Sequence, residues 1–212
     1  MKTTTCFGIL GCLASLSLLL SPMIADAAES TGGVATGEPA PAFTATDTHG
    51  TTHNLEDFAG KTVILEWTNK DCPFVKKFYK DGHMQKWQEK YSAMEDVVWL
   101  TVASSAPGKQ GHLSAEQWNE LIEQQDSHAT AVLMDEDGTI GRAYDATNTP
   151  HIYVIDGEGV LRYQGAIDSM PSTKNDDIEK ATNYLAAAVE AVQAGETVET
   201  DTTSAYGCSV KY

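Results

Sequence analysis

TVILEWTNKDCPFV, residues 62–75, decides how this chain folds. Thr62 to Trp67 is a β-branched, apolar run of strand length without the polar alternation of a half-exposed strand, so it reads as a central strand. The polar loop Thr68-Asn69-Lys70-Asp71 follows, then Cys72-Pro73. Pro73 fits the first position of a helix, where its missing N–H costs nothing. The spacing predicts a helical region from Phe74 to Tyr91, interrupted near Gly82. Cys72 is thus expected at a strand–helix junction. Unpaired N–H groups and the positive end of the helix dipole favour a thiolate there, and the thiolate is the nucleophile. Lys70, Lys76 and Lys77 add positive charge and Asp71 opposes them. The other reading is an inert buried cysteine; the polar loop before Cys72 favours an accessible, reactive one.

Working outward, Ala42–Asp47, the turn at His49-Gly50 and Thr51–Asn54 predict an N-terminal β-hairpin, followed by a helical turn at Leu55–Phe58. Downstream, Val97–Ala103 and Ala131–Met134 read as buried strands. Between them Ser114-Ala115-Glu116-Gln117 is a capping box that opens a helix with Trp118, Leu121 and Ile122 on its apolar face. A short helix is expected at Gly141–Tyr144. Ile152–Asp156 and Val160–Gln164 flank Gly157-Glu158-Gly159 as a second hairpin. Asp176–Ala194 reads as one last helix with Ile178, Leu185, Val189 and Val192 on a stripe. Strand–helix alternation predicts an α/β fold: a mainly parallel sheet flanked by helices, made mixed by antiparallel strands at its hairpins.

Composition sets limits on function. The 212 residues are 42% hydrophobic, which suits one globular domain. Lys and Arg total 14 against 30 Asp and Glu, a formal charge of −16. Such a surface repels phosphate backbones, so no nucleic-acid partner is expected. Lys2, the apolar stretch Phe7–Leu20 and Ala25-Asp26-Ala27 have the plan of a secretory signal peptide, read as residues 1–27, which implies export to the periplasm. If the segment is retained it would be a membrane anchor, since Thr3–Ala25 is uncharged and long enough to span. Residues 28–38 read as a small-residue linker, 39–194 as the domain, and 195–212 as a polar tail. Removing the signal segment removes Cys6 and Cys12 and leaves Cys72 and Cys208. These two are either a long-range staple or a redox pair. The six histidines show no ligand spacing, so neither a metal nor another cofactor is expected.

Taken in order, four features resemble the thioredoxin-like superfamily, in the redoxin branch that includes AhpC/TSA peroxiredoxins and exported TlpA/ResA-type proteins. These are the opening GEPAPAFTATDTHGTTHNLEDFAGK, the VILEWTNKDCPFV segment, Thr149-Pro150 before Ile152-Tyr153-Val154-Ile155-Asp156, and the closing hairpin with its helix. The resemblance spans roughly Gly37–Ala194 and implies a thioredoxin-like fold with Cys72 as the attacking thiol. Two departures stand out. The second cysteine of a Cys-x-x-Cys motif is Val75 here, and the proline and hydroxyl positions of the peroxiredoxin motif are Leu65 and Asn69.

The resemblance also assigns roles elsewhere. Glu66, six residues before Cys72, matches a buried acid that relays protons to the cysteines. Thr149-Pro150 matches a cis-proline loop that, with Pro73, lies along an extended substrate, and His151 beside it could stabilise a thiolate or shuttle protons. Arg142 is a candidate for the peroxiredoxin arginine. Cys208 matches the plan of a resolving cysteine in a C-terminal arm. Its tether from Ala194 reaches roughly 45 Å at about 3.3 Å per residue, so the tail can reach Cys72 of its own or a partner chain. Glu196–Ala205 is polar and unpatterned, so the arm is expected to be mobile and to rest away from Cys72. The implied function is an exported thiol–disulfide redox protein acting on a protein thiol or disulfide and its reductant. The alternatives are a peroxiredoxin-like thiol peroxidase acting on peroxide, or a non-catalytic binding module with Cys72 inert.

Overall fold

Residues 1–4 and 34–212 are described by a computed structural model. Most of the segment read as a signal peptide, and the first part of the linker, lie outside the described residues. The elements are β1 (Thr44–Asp47), β2 (Thr52–Asn54), a 3-10 turn at Leu55–Phe58, β3 (Thr62–Trp67), α1 (Pro73–Tyr79), α2 (His83–Ser92) and β4 (Val97–Ala103). They continue with α3 (Ala115–Gln125), β5 (Ala131–Met134), α4 (Thr139–Ala143), β6 (Asn148–Thr149), β7 (His151–Ile155) and β8 (Leu161–Gly165). A 3-10 helix at Asn175–Lys180, α5 (Tyr184–Ala194) and β9 (Cys208–Ser209) close the chain.

Seven strands form one sheet in the order β2-β1-β5-β4-β3-β7-β8. β3 lies inside the sheet between β4 and β7, and every residue of these three strands is buried. The alternation along β3 divides its side chains between two cores. Val63, Leu65 and Trp67 pack with Leu100, Val102, Tyr153 and Ile155 on one face. Ile64 packs with Trp99, Ile152 and Val154 on the other, under Phe78 of α1, Met84 and Tyr91 of α2, and Leu185 and Val189 of α5. Gly82, at φ 75, breaks the Phe74–Tyr91 region into α1 and α2 at the expected place. The Ser114 box caps α3: the Gln117 N–H donates to Ser114 Oγ at 3.3 Å, and the Ser114 N–H donates to Gln117 Oε1 at 3.0 Å.

Three expectations are corrected. The sheet is mixed as expected, but only β3–β4 and β4–β5 run parallel, so antiparallel pairings and not parallel ones are in the majority. The single helix expected over Asp176–Ala194 is a 3-10 helix and a separate α5. Between them the chain is extended: the Ser169 N–H donates to the Thr182 carbonyl at 3.0 Å. Asn183 then starts a new helix by accepting the Ala186 N–H at 2.9 Å.

The third correction concerns the tail, which is fastened to the domain and not loose. Thr203 N–H donates to Gln164 O at 3.0 Å, and Thr203 Oγ1 accepts the Ala166 N–H at 2.9 Å. β9 pairs antiparallel with β6, placing Cys208 opposite Thr149 and Ser209 opposite Asn148. Beyond it, Lys211 O accepts the Ala106 N–H at 2.8 Å and Tyr212 Oη donates to Ala146 O at 2.7 Å. Composition misleads here because the hold comes from scattered contacts, each made by one or two residues, which leave no hydrophobic period. Residues 34–38 likewise bond to the domain, with Gly37 N–H donating to Leu161 O at 2.8 Å.

Candidate active site

Cys72 stands where β3 hands over to α1. The intervening loop is pinned by Asn69. Its Oδ1 accepts the Asp71 N–H at 2.9 Å, its carbonyl accepts the Cys72 N–H at 2.9 Å, and its Nδ2 donates to Gln110 O at 3.0 Å. Gly111 permits that approach, since a Cβ there, at φ +87, would lie 2.3 Å from Asn69 Oδ1. Cys72 is the N-cap residue of α1 and Pro73 follows at its first position.

The Cys72 side chain is fully buried. That corrects the accessible thiol expected from the polar loop: the loop is solvated, but the tail lies over the sulfur. Cys72 Sγ donates to the Thr149 carbonyl at 3.1 Å and accepts the Cys208 N–H at 3.4 Å. Both cysteines are free thiols, within hydrogen-bond contact of each other. The Thr149–Pro150 bond is cis and delivers the Thr149 carbonyl to Cys72.

The two thiols are set apart electrostatically. Burial alone would raise the Cys72 pKa, but hydrogen bonds from the Cys208 thiol, the Cys208 N–H and the Val75 N–H outweigh it, and the net shift is downward. Cys208 is pushed up to about 11 by burial and then by its contact with Cys72. Cys72 is therefore the member of the pair that ionises first.

A buried ion pair that the sequence reading missed holds the tail in register. Lys77 of α1 is wholly buried and its Nζ lies 2.8 Å from Asp168 Oδ2. Nζ also donates to Met170 O at 3.0 Å and to Tyr206 Oη at 3.3 Å. Tyr206 Oη donates to the other Asp168 oxygen. The Tyr206 ring packs edge-on against Phe74 at 5.8 Å. Phe74 and Lys77 belong to the helix that Cys72 caps, and Tyr206 lies two residues before Cys208, so one short helix references both sulfurs. A lysine between the apolar residues Val75 and Phe78 on a helix was the available signal for this cluster.

The remaining expected residues fall into two groups on opposite faces of the sheet. Glu66 is completely buried on the helix-covered face. It accepts from Tyr79 Oη at 2.8 Å, Trp99 Nε1 at 3.0 Å, Gln88 Nε2 at 3.3 Å and Thr101 Oγ1 at 3.4 Å. Burial raises its pKa to about 7 against those four stabilising donors. None of its hydrogen-bond partners is Cys72, so a proton passing between them needs intervening groups. His151 lies on the other face, stacked on Tyr153 at 4.5 Å with Nδ1 3.3 Å from Tyr153 Oη. Burial lowers its pKa to about 4. Its hydrogen-bond partner is Tyr153 and not Cys72, and burial favours the neutral imidazole. Arg142 is held over the Tyr212 ring at 4.6 Å and bonds to the Asp137 carbonyl, so it is engaged away from the thiol. Among the described residues, no group of three His, Cys, Asp or Glu side chains is placed to hold a metal ion.

Comparison with known proteins places this geometry. No curated protein matches the chain. Among solved structures it is similar to a hypothetical protein from Sinorhizobium meliloti, with TM-score 0.69 and 22% identity over 85% of this chain and 96% of that one. An uncharacterized conserved protein from Geobacillus kaustophilus gives TM-score 0.69 and 25% identity over 84% and 92%. The thioredoxin domain of a thiol-disulfide oxidoreductase from Bacteroides vulgatus gives TM-score 0.51 and 22% identity over 70% and 98%, a likeness of fold. The Redoxin family model matches residues 35–184, which span β1 to the start of α5 and include Cys72, Thr149 and Pro150. With this thioredoxin-like fold and a match over most of its length, the chain belongs to the Redoxin family.

Proposed function

We propose that this chain is an exported thiol–disulfide exchange protein in which Cys72 attacks and Cys208 of the same chain resolves. The observation that carries the reading is the juxtaposition at the cis-proline loop. There the Cys208 N–H lies 3.4 Å from Cys72 Sγ, and the tail strand is paired in register with Thr149. Export rests on Lys2, Phe7–Leu20 and Ala25-Asp26-Ala27.

The chemistry takes two displacements. The Cys72 thiolate attacks one sulfur of a partner disulfide. A Cys72–partner bond forms, the partner disulfide breaks, and its other sulfur leaves as a thiolate that takes up a proton from water. Cys208 loses its proton and attacks Cys72 Sγ. The Cys72–Cys208 bond forms, and the partner's second sulfur leaves with the electron pair. The partner is reduced to a dithiol and this protein is oxidised to an internal disulfide, which an external thiol reductant returns to the dithiol. The depressed pKa of Cys72 and the raised pKa of Cys208 suit these roles. Glu66, near 7, is a group able to exchange a proton at neutral pH, acting at a distance through its hydrogen-bonded neighbours. A peroxidase reading draws less support, because Asn69 stands where the peroxiredoxin hydroxyl would be and Arg142 is engaged elsewhere.

Equilibration in glutathione buffers of graded ratio, followed by acid quenching and mass analysis, tests the reading. The expected result is a reversible two-electron transition between dithiol and Cys72–Cys208 disulfide, abolished by either Cys72→Ser or Cys208→Ser. A chain that stays dithiol throughout, or a disulfide no buffer reduces, would make the protein an inert module or a stapled one.

A further inference from the structure

The tail that covers Cys72 also shows what an incoming partner must look like. Nothing outside the chain can touch the sulfur while the tail is seated, because Cys72 has no exposed surface. A partner disulfide must replace residues 206–208. What they occupy is a shaped site with three parts. An edge of backbone at Asn148–Thr149 pairs with an extended strand. Beside it the approach is too close for a side chain: a Cβ at Gly207, where φ is +133, would lie 2.1 Å from the Thr149 carbonyl oxygen. Next to that is a pocket made by Phe74, Lys77 and Asp168, filled by the Tyr206 phenol.

The pocket is polar at its floor and apolar on its wall. Lys77 and Asp168 are both wholly or nearly wholly buried, so each depends on every hydrogen bond it has. When Tyr206 leaves, the pair loses a donor to Asp168 and an acceptor for Lys77. A guest that carries a phenol restores both, whereas one with a short side chain leaves them short of partners in a desolvated site.

We infer that the Phe74–Lys77–Asp168 pocket is a recognition subsite for a tyrosine two residues before the reacting cysteine of an extended partner segment, with glycine between, and that the chain's own Tyr206-Gly207-Cys208 is an internal stand-in for that segment. The inference rests on the thiol-exchange reading above and narrows its substrate class to Tyr-Gly-Cys-like segments. The reacting step is the first displacement already described. Cys72 sulfur bonds to the guest's cysteine sulfur, and the sulfur previously bonded to the guest departs as a thiolate. Neither β6 nor β9 takes part in the seven-stranded sheet, so residues 206–208 can leave Asn148–Thr149 without breaking a pairing of that sheet.

The test uses the full-length chain with Tyr206→Ala and Cys208→Ser, which empties the pocket and prevents resolution. Blocked peptides Ala-Tyr-Gly-Cys-Ser-Val are supplied as mixed disulfides with thionitrobenzoate. Their rates of forming the Cys72–peptide adduct are compared with those of the same peptide bearing alanine for tyrosine, or alanine for glycine. The expected result is at least a tenfold advantage for the parent peptide over each, about 1.4 kcal/mol of transition-state discrimination. The single variant Cys208→Ser, with Tyr206 in place, keeps the ranking at lower rates and serves if the double variant fails to fold. Equal rates for the three peptides would overturn the subsite. Dithionitrobenzoic acid alone, which has no peptide, reports the thiol by itself: no reaction at Cys72 with it overturns the exchange reading and the subsite together, while reaction without peptide discrimination removes the subsite only. If the unmodified protein in solution is a dimer with exchanged tails, the guest is a second copy and the proposal falls.

Discussion

Cys72 and Cys208 are in contact, yet they are held by different physics. Cys72 follows β3, whose six residues are all buried, and its loop is fixed by three hydrogen bonds of Asn69 within the domain. Cys208 sits on a two-residue strand outside the main sheet and depends on Tyr206, Thr203 and a few backbone bonds. The first anchorage comes from burial over a large area and is cooperative with the whole fold. The second comes from discrete polar contacts that can be lost together while the sheet stays folded. A fixed nucleophile facing a removable partner is what alternate pairing with a substrate and with a resolving thiol requires.

The contrast can be broken most forcefully from the Cys72 side. Trp67 is fully buried between Tyr153 at 5.0 Å and Tyr144 at 5.5 Å, with Nε1 donating to Ser104 Oγ at 3.0 Å. Trp67→Ala is expected to cost about 3–5 kcal/mol of global stability in urea unfolding. A loss under about 1 kcal/mol would mean that the strand before Cys72 is not the anchor described.

The tail clamp should respond in two sizes. Asp168→Ala leaves Lys77 buried without its counter-charge, and the expected cost is about 3–5 kcal/mol. Tyr206→Phe removes only the phenol's hydrogen bonds, so a loss of about 1 kcal/mol of stability is expected, together with faster proteolytic clipping within 196–212. Clipping as slow as in the parent chain would show that Tyr206 does not hold the tail.

Glu66 sharpens the picture of the rigid side through pH. Its unfolded pKa of 4.5 rises to about 7 in the fold, so between those values the native state binds more protons than the unfolded one. Stability contributed by this group is therefore greatest below 4.5 and falls as pH rises to about 7, by about 3 kcal/mol in all. Glu66→Gln should flatten that slope in unfolding curves taken across the interval. A slope unaltered by the substitution would remove Glu66 as its source. The smallest effect concerns the thiols: Cys208→Ala takes away a hydrogen bond to Cys72, so the Cys72 titration followed by thiolate absorbance should move upward. No movement would separate the two groups electrostatically.

What could be read in the residues divides along the same line. β3 and β4 were legible because apolar runs rich in β-branched residues have one physical meaning at that length, β5 because it is a short apolar run bounded by turn residues, and α3 because its capping box is local chemistry. Cys72, Thr149 and Pro150 were legible as a group through resemblance to a family and come together at one point. The tail was illegible: Tyr206 and Thr203 engage residues 129 and 37 positions away, and no local period marks such contacts. Lys77 misled because a lysine beside a cysteine reads as electrostatic help for the thiol, whereas this one points into the core and pairs with Asp168. His151 misled for a related reason, since position beside Pro150 says nothing about which sheet face the ring takes.

The central claim is that Cys72 attacks and Cys208 resolves within one chain, and a single-turnover quench measures it directly. Reduced protein is mixed with a stoichiometric partner disulfide, stopped in acid at successive times, and weighed. The account predicts that the parent chain ends as the internal Cys72–Cys208 disulfide with both partner thiols released, and that Cys208→Ser stops at a stable adduct on Cys72. An adduct on Cys208 in the parent chain, or a Cys208→Ser variant that releases both partner thiols at the parent rate, would contradict it.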